Sequence, residues 1–490
     1  MTFQRFFRST ATAMVFCGFF PVAPFAKTNP TPATPASIPF KPLDWKVPRG
    51  EPYRSVLAGG LVAYIAEDRT LPLFTVSGIV RFGRLNDPMG KEGLCAMLAA
   101  LMRTGGTQKY QSDSLDALLD LYAIRAKISA SETQMDFSFS SLSDFSGRCL
   151  DVLEQMVFHP AFEENKIKKT KDLFVEDIYH RFDNPGPVLS AAYEKALYSG
   201  KTNSRMATVA SLQSITRKDL GSLHSSIFKT ENMVLAVSGN FSRDTMLKRL
   251  EAIFPKAGSP RDSVFPMVGV YAPEKLLFVK KTISQSYVML GLPLFKRPHP
   301  DYYPVSVLNM ILGGEGFTSR LTTKIRSDEG LTYAIGSHAE SNYFFPGTFY
   351  VKFFTKTGST SRAISLTLAE IDRLKKSGIT AEELDHAKKI LIDGFPSEFR
   401  RPEDIVENYA QNEYWKRPAD HFAVYPDKIK AITTQDIKAV ADKYLNPSAF
   451  TYVVVGDSSA ILKADTVPGF SLRKLSPARF IEQDSIPALP

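Results

Sequence analysis

Cysteine is scarce in this sequence and paired histidine is absent, and each shortage excludes something. Three cysteines, Cys17, Cys95 and Cys149, stand among 490 residues. That is too few for a disulfide framework, and none has zinc-finger spacing. Cys95 and Cys149 therefore read as buried thiols rather than a bridge. The seven histidines are His159, His180, His224, His299, His338, His386 and His421, and no two lie closer than 21 positions. No helix can present two imidazoles at i and i+4, as the HExxH and HxxEH zinc motifs require. There is no run of five like charges and no basic stripe interleaved with aromatics, so the net charge of +9 does not point to nucleic acid. A G-x-S-x-G elbow and a P-loop are also missing. Gly313-Gly314-Glu315-Gly316 has no Lys-Ser/Thr after it and reads as a mobile turn after a helix.

Proline, by contrast, is in surplus, with 32 residues, fourteen of which gather in three places. Residues 27–50 carry six of them and read as an extended tether. A second cluster at 255–273 (Pro255, Pro260, Pro266, Pro273) reads as an interdomain linker. The segment 466–490 is again interrupted by proline and reads as a wrapping tail. Ahead of the tether, Arg5 and Arg8 precede an apolar stretch over 11–26, too short and too broken by proline for a span of about 20 residues. Residues 1–26 are thus expected to be a cleaved signal peptide. Its removal lowers the charge to +7 by taking away Arg5 and Arg8, and leaves no stable membrane anchor.

The remaining chain splits into 51–254 and 274–465, and the two pieces are related. Ile215–Asn240 aligns with Ile432–Asp457 at a constant offset of 217, pairing Asp219 with Asp436 and Gly239 with Gly456. In each copy a threonine (Thr216 or Thr433) with an acid three residues later can cap a helix, and a Val-rich run then ends at a glycine turn. Thr380 with Glu383 is a third capping box. Strand-like runs appear at Gly60–Ile65, Phe74–Phe82, Met135–Phe139, Leu276–Val279, Tyr287–Leu292 and Thr348–Phe354. Helical patterns appear at 91–103, 112–122, 145–158, 163–182, 303–312, 360–376, 381–393 and 402–415. The alternation predicts an α+β class, with a sheet in each half and helices against one face.

One predicted helix has an odd composition. Leu94, Leu98 and Leu101 make a bulky face, while the other is reduced to Ala96, Ala99 and Ala100 before Arg103. Gly93-Leu94-Cys95, Leu98, Leu101-Met102 and then Gly105-Gly106-Thr107 resemble the active-site helix of pitrilysin/insulinase-type zinc peptidases, G-L-A-H-x-L-E-H-M-L-F-x-G-T. In that family the two histidines bind zinc and the glutamate is the general base. Here those places are Ala96, Ala99 and Ala100. The family's third ligand falls at Asp177, beside Glu176, where a lone carboxylate reads as a solvated helix face. The segment LGGEGFTSRLTTKIRSDEGLTYAIGS is similar to a second family block. In it an Arg and a Tyr seven residues apart, here Arg326 and Tyr333, reach the active site and donate to the carbonyl oxygen as it becomes an oxyanion. Without that block the pair would read as a surface ion pair and a buried tyrosine.

The resemblance covers nearly the whole mature chain and implies two homologous domains, each a mostly antiparallel sheet covered by helices, arranged as a clamshell. Some bacterial members divide the work between an HxxEH-bearing, zinc-holding chain and one that keeps only the Arg/Tyr pair. The expectation is the second kind: a periplasmic, non-catalytic subunit of a heteromeric endopeptidase, metal-free itself, with zinc in its partner and a peptide or unfolded protein as substrate. The alternative is a non-proteolytic scaffold or peptide-binding protein of the same fold.

Overall fold

A computed structural model describes Thr34, Ser37, Ile38 and residues 45–57, 59–198, 202–254, 275–314 and 316–488. The expected signal peptide, most of the tether and the linker at 255–273 lie outside the described residues. The chain divides into Met1–Trp45 and Lys46–Pro490. In the first unit, the Ser37 hydroxyl donates to the Thr34 carbonyl at 2.7 Å. Both homologous halves lie within the second.

The first half contains β1 (Arg54–Val56), β2 (Val62–Glu67), β3 (Leu73–Val80), β4 (Arg125–Ala130), β5 (Met135–Leu142) and β6 (Met233–Gly239). The second contains β7 (Leu276–Lys280), β8 (Gln285–Pro293), β9 (Ile335–Glu340), β10 (Thr348–Lys356), β11 (Thr451–Gly456) and β12 (Ala478–Glu482). The strand orders are β1-β2-β6-β3-β5-β4 and β12-β7-β11-β8-β10-β9. Without their outermost strands the two orders coincide, in topology and in direction. Each has one parallel pair, β2 with β6 and β7 with β11, and is otherwise antiparallel through that common core. The duplication seen over 26 residues of sequence thus extends to the whole sheet. The outermost strands differ. β1 runs antiparallel to β2, whereas β12, from the stretch expected to be a wrapping tail, runs parallel to β7. The four strands without an expected run, β1, β4, β9 and β12, are all sheet edges. Their mixed sequences (RAKISA in β4) bury too little to show an apolar run.

All three capping boxes form. Thr216 Oγ1 accepts from Asp219 N at 3.1 Å while Asp219 Oδ2 accepts from Thr216 N at 2.7 Å. Thr433 with Asp436 and Thr380 with Glu383 repeat the exchange. β6 and β11 are buried along their whole length. Both end at paired glycines, and Gly239 has φ +137°; a Cβ there would stand 2.2 Å from the Leu73 carbonyl oxygen.

Complete burial of the central strands requires cover on both sheet faces, and the helices expected against one face supply only half of it. The other cover is exchanged between the halves. Helix Pro185–Tyr198, from the first half, seats Val188, Leu189, Ala192, Tyr193 and Leu197 on β7, β8 and β11. Helix Pro402–Tyr414, from the second half, packs on β2, β3 and β6. The offset of 217 pairs these helices as well: Pro185 with Pro402, Leu189 with Val406 and Leu197 with Tyr414. Ala192 opposite Tyr409 and Tyr193 opposite Ala410 exchange bulk between the copies. This mutual cover makes the two halves one compact unit. Among the described residues no helix is long and apolar enough to cross a membrane.

Candidate functional site

Helix Leu94–Thr104 begins at a buried carboxylate. Asp87 accepts from the backbone N–H groups of Gly93 and Cys95, both at 2.9 Å, and so satisfies two donors of the first turn. Burial pushes its carboxyl up to about 6 in spite of those bonds and of Arg205 nearby. Leu94, Leu98 and Leu101 are buried as expected, but so are Cys95, Met97, Ala99 and Met102. Cys95 and Cys149 are both free, buried thiols; burial pushes Cys149 up to about 12.

Ala99 is buried in this helix, and Ala96 and Ala100 are half-buried. Helix Glu164–His180 packs against it, with Asp177 exposed on its surface. Three methyl groups and one carboxylate offer neither a zinc ligand set nor a general base. The residues do not fit the metal. Among the described residues no three His, Cys, Asp or Glu side chains are grouped closely enough to hold one. Glu176 is tied instead to His180 Nε2 at 3.0 Å, and His180 Nδ1 meets Asp183 at 2.7 Å. These bonds, Asp183 first, hold the exposed imidazole above its ordinary pKa.

The second block is built differently. Two π-helical segments, Met310–Gly314 and Thr322–Asp328, bracket the glycine-rich turn. Gly313 is buried, and a Cβ there would lie 2.5 Å from the Ser337 backbone nitrogen on β9. The first part of Gly313–Gly316 is therefore a close approach of helix to strand, not the mobile turn expected. Arg320 anchors the next segment with two bonds to Glu383, at 2.6 and 2.7 Å, and one to the Gly378 carbonyl at 3.0 Å. Ser319 donates to Thr322 Oγ1 at 3.0 Å, and Leu321 is fully buried. The Ser-Arg-Leu triplet thus fixes the start of the π-helical turn that carries Arg326.

Arg326 and Tyr333 meet. The guanidinium carbon stands 5.0 Å from the centre of the Tyr333 ring and 4.7 Å from that of Phe317. Arg326 has no ion pair among the described residues, and Tyr333 is 76% exposed. The bland account, a surface ion pair with a buried tyrosine, fails on both counts. Phe317, 71% exposed, was not singled out from sequence. Its one signal was position: a large apolar side chain alone in a Gly/Ser/Thr stretch. Together the three present two ring faces, a phenolic hydroxyl and a guanidinium to solvent.

Residues 64–209 match the family "Insulinase (Peptidase family M16)" and residues 214–391 match "Peptidase M16 inactive domain". The chain belongs to the M16 peptidase family. The M16 relatives include a "Non-peptidase homolog YmxG" of Helicobacter pylori, 24% identical over 67% of this chain and 76% of that protein. An "Uncharacterized zinc protease YmxG" of Bacillus subtilis is 31% identical over 51% of this chain and 60% of its own length. A solved M16 inactive domain from Pseudomonas fluorescens superposes with a TM-score of 0.73 at 24% identity, covering 83% of this chain and 98% of that one. With the positions of both histidines and the base taken by alanine, this M16 chain is an inactive homologue.

Proposed function

We propose that this chain is the non-catalytic subunit of a heteromeric M16 endopeptidase, paired with an HxxEH-bearing chain of the same family. The observation that carries the reading is the contact between Arg326, on an anchored π-helical turn, and the exposed Tyr333, with Arg326 in no ion pair among the described residues. In this reading the partner holds the zinc, and this chain walls in the peptide. Arg326 and the Tyr333 hydroxyl donate to the carbonyl oxygen as negative charge develops on it, where fixed donors are worth most. Phe317 offers an apolar face to the peptide beside them. The leader-like N-terminus supports a periplasmic location.

The test is reconstitution. The purified chain cleaves nothing by itself. Mixed with the HxxEH-bearing M16 chain that co-purifies with it from the native host, it raises that chain's turnover, and Tyr333→Phe lowers the turnover of the pair by roughly one to three orders of magnitude. Equal support from wild type and Tyr333→Phe would refute the role in trans and leave a scaffold of the same fold.

A further inference from the structure

The exchanged helix Pro185–Tyr198 roofs a cavity of about 210 Å³ whose chemistry the Arg326–Tyr333 site does not use. Both halves line it. Glu132 comes from the β4–β5 turn, Tyr193 and Glu194 from the helix, Asn203 from the turn beyond it, Glu340 from the end of β9 and Tyr350 from β10. Arg84 ion-pairs with Glu132 and lies 4.0 Å from Glu194. Glu132 and Glu194 therefore share one guanidinium, and Glu340 has no ion pair among the described residues.

The tyrosine hydroxyls of the cavity point to protein acceptors. The Tyr350 hydroxyl is spent on Glu340 at 2.8 Å, and the Tyr193 and Tyr198 hydroxyls lie 3.4 and 3.5 Å from backbone carbonyls. Asn203 is 4% exposed, and its Oδ1 has no hydrogen-bond partner among the described residues. A buried acceptor left unpaired is costly and calls for a donor. Glu194 is ringed by protein, which pushes its carboxyl above the usual range, with Glu132 and Glu340 adding to the push and Arg84 opposing it. Yet its side chain remains 49% exposed, so the cavity opens to solvent and a ligand can enter.

We propose that this cavity binds the guanidinium group of an arginine side chain in a peptide. A metal ion is the poorer fit, because these carboxylates are not grouped closely enough to coordinate one. A guanidinium carries five donors and no acceptor, and spans separated carboxylates. The proposal rests on the peptide-binding reading for the source of the arginine. It shares no residue with the Arg326–Tyr333 site.

The experiment is fluorescence anisotropy on the whole chain with a labelled hexapeptide containing one arginine, and with its citrulline counterpart. The arginine peptide binds at least tenfold more tightly. Glu194→Gln and Glu340→Gln, whose folding is checked by an unchanged denaturation midpoint, each remove most of that preference. Tyr333→Phe leaves the preference intact. Equal binding of the two peptides, or full preference in both glutamine variants, overturns the proposal. Competition by millimolar calcium or magnesium that Glu194→Gln abolishes also overturns it, in favour of a metal site. Failure of the reconstitution test with the arginine preference intact refutes only the trans-catalytic role; the opposite result refutes only this site.

Discussion

The first and second halves share a sheet order, a pair of capped helices and an exchanged helix, and they differ where chemistry would be done. In the first half the helix matching the family's catalytic one has Ala99 buried, and half-buried Ala96 and Ala100 present only methyl groups. In the second, exposed Tyr333 and Phe317 flank a half-buried Arg326 carried on an anchored turn. The cavities beneath the exchanged helices diverge at matching positions. Glu407, Ala410 and Gln411 line the one over the first sheet, where Ser190, Tyr193 and Glu194 line the one over the second. Loss of function in one copy has left its frame intact, because the frame depends on packing and caps and not on the zinc ligands.

If the halves stabilise each other through the exchanged helices, the largest effect belongs there. Leu197 is fully buried against the second sheet, so Leu197→Ala should cost about 3 kcal/mol. Its counterpart Tyr414 donates to the Thr133 carbonyl at 2.7 Å, and Tyr414→Phe should cost about 1 kcal/mol. Urea denaturation followed by circular dichroism should show one transition, shifted as a whole. Two separated transitions in Leu197→Ala would mean that the halves are independent bodies.

The capping boxes give a sharper comparison of smaller size. Thr216→Ala and Thr433→Ala should each cost about 1 kcal/mol. The acids differ. Burial pushes the Asp219 carboxyl up, but Lys91 at 2.9 Å and two bonds from Thr216 outweigh it and hold it at about 2. Asp436 is lowered by its bonds to Thr433, without an ion pair among the described residues. Asp219→Asn should therefore cost more than Asp436→Asn at pH 6. A carboxyl lowered in the folded state stabilises fully above its unfolded value of about 4, and that contribution is lost as pH falls through the folded value. The excess cost of Asp219→Asn should shrink between pH 4 and pH 2. Equal costs at pH 6 would show that Lys91 contributes nothing.

Much of this was legible in the sequence, for identifiable reasons. Central strands such as Met233–Gly239 are buried on both faces and read as apolar runs. Threonine with an acid three residues on announces a helix start that local hydrogen bonds alone enforce. The edge strands were silent, since one solvated face dilutes their pattern. Helix Pro185–Tyr198 was silent for another reason: Ala192, Ala196 and two tyrosines make a weak apolar stripe, although Pro185 and Pro402 stood 217 apart. The Arg326–Tyr333 pair was visible as spacing. Its exposure and its contact with Phe317 were not, because they depend on where Arg320 pins the turn. The acidic cavity drew on both halves, and no local pattern could bring Glu132, Glu194 and Glu340 together.

The smallest expected effect is the one that best separates site from frame. Arg320 and Arg326 lie six positions apart in one block, yet only Arg320 is bonded to a carboxylate and a carbonyl. Half-buried Arg326 lies over two exposed rings and makes no ion pair among the described residues. Arg326→Ala should therefore change stability by less than about 0.5 kcal/mol, the usual range for a surface side chain outside any hydrogen-bond or ion-pair network. Thermal denaturation of the isolated chain measures it. A larger loss would mean that the Arg326–Phe317–Tyr333 stack is itself a structural clasp. The second half would then differ from the first only in how it holds its fold, and the asymmetry on which the functional reading depends would disappear.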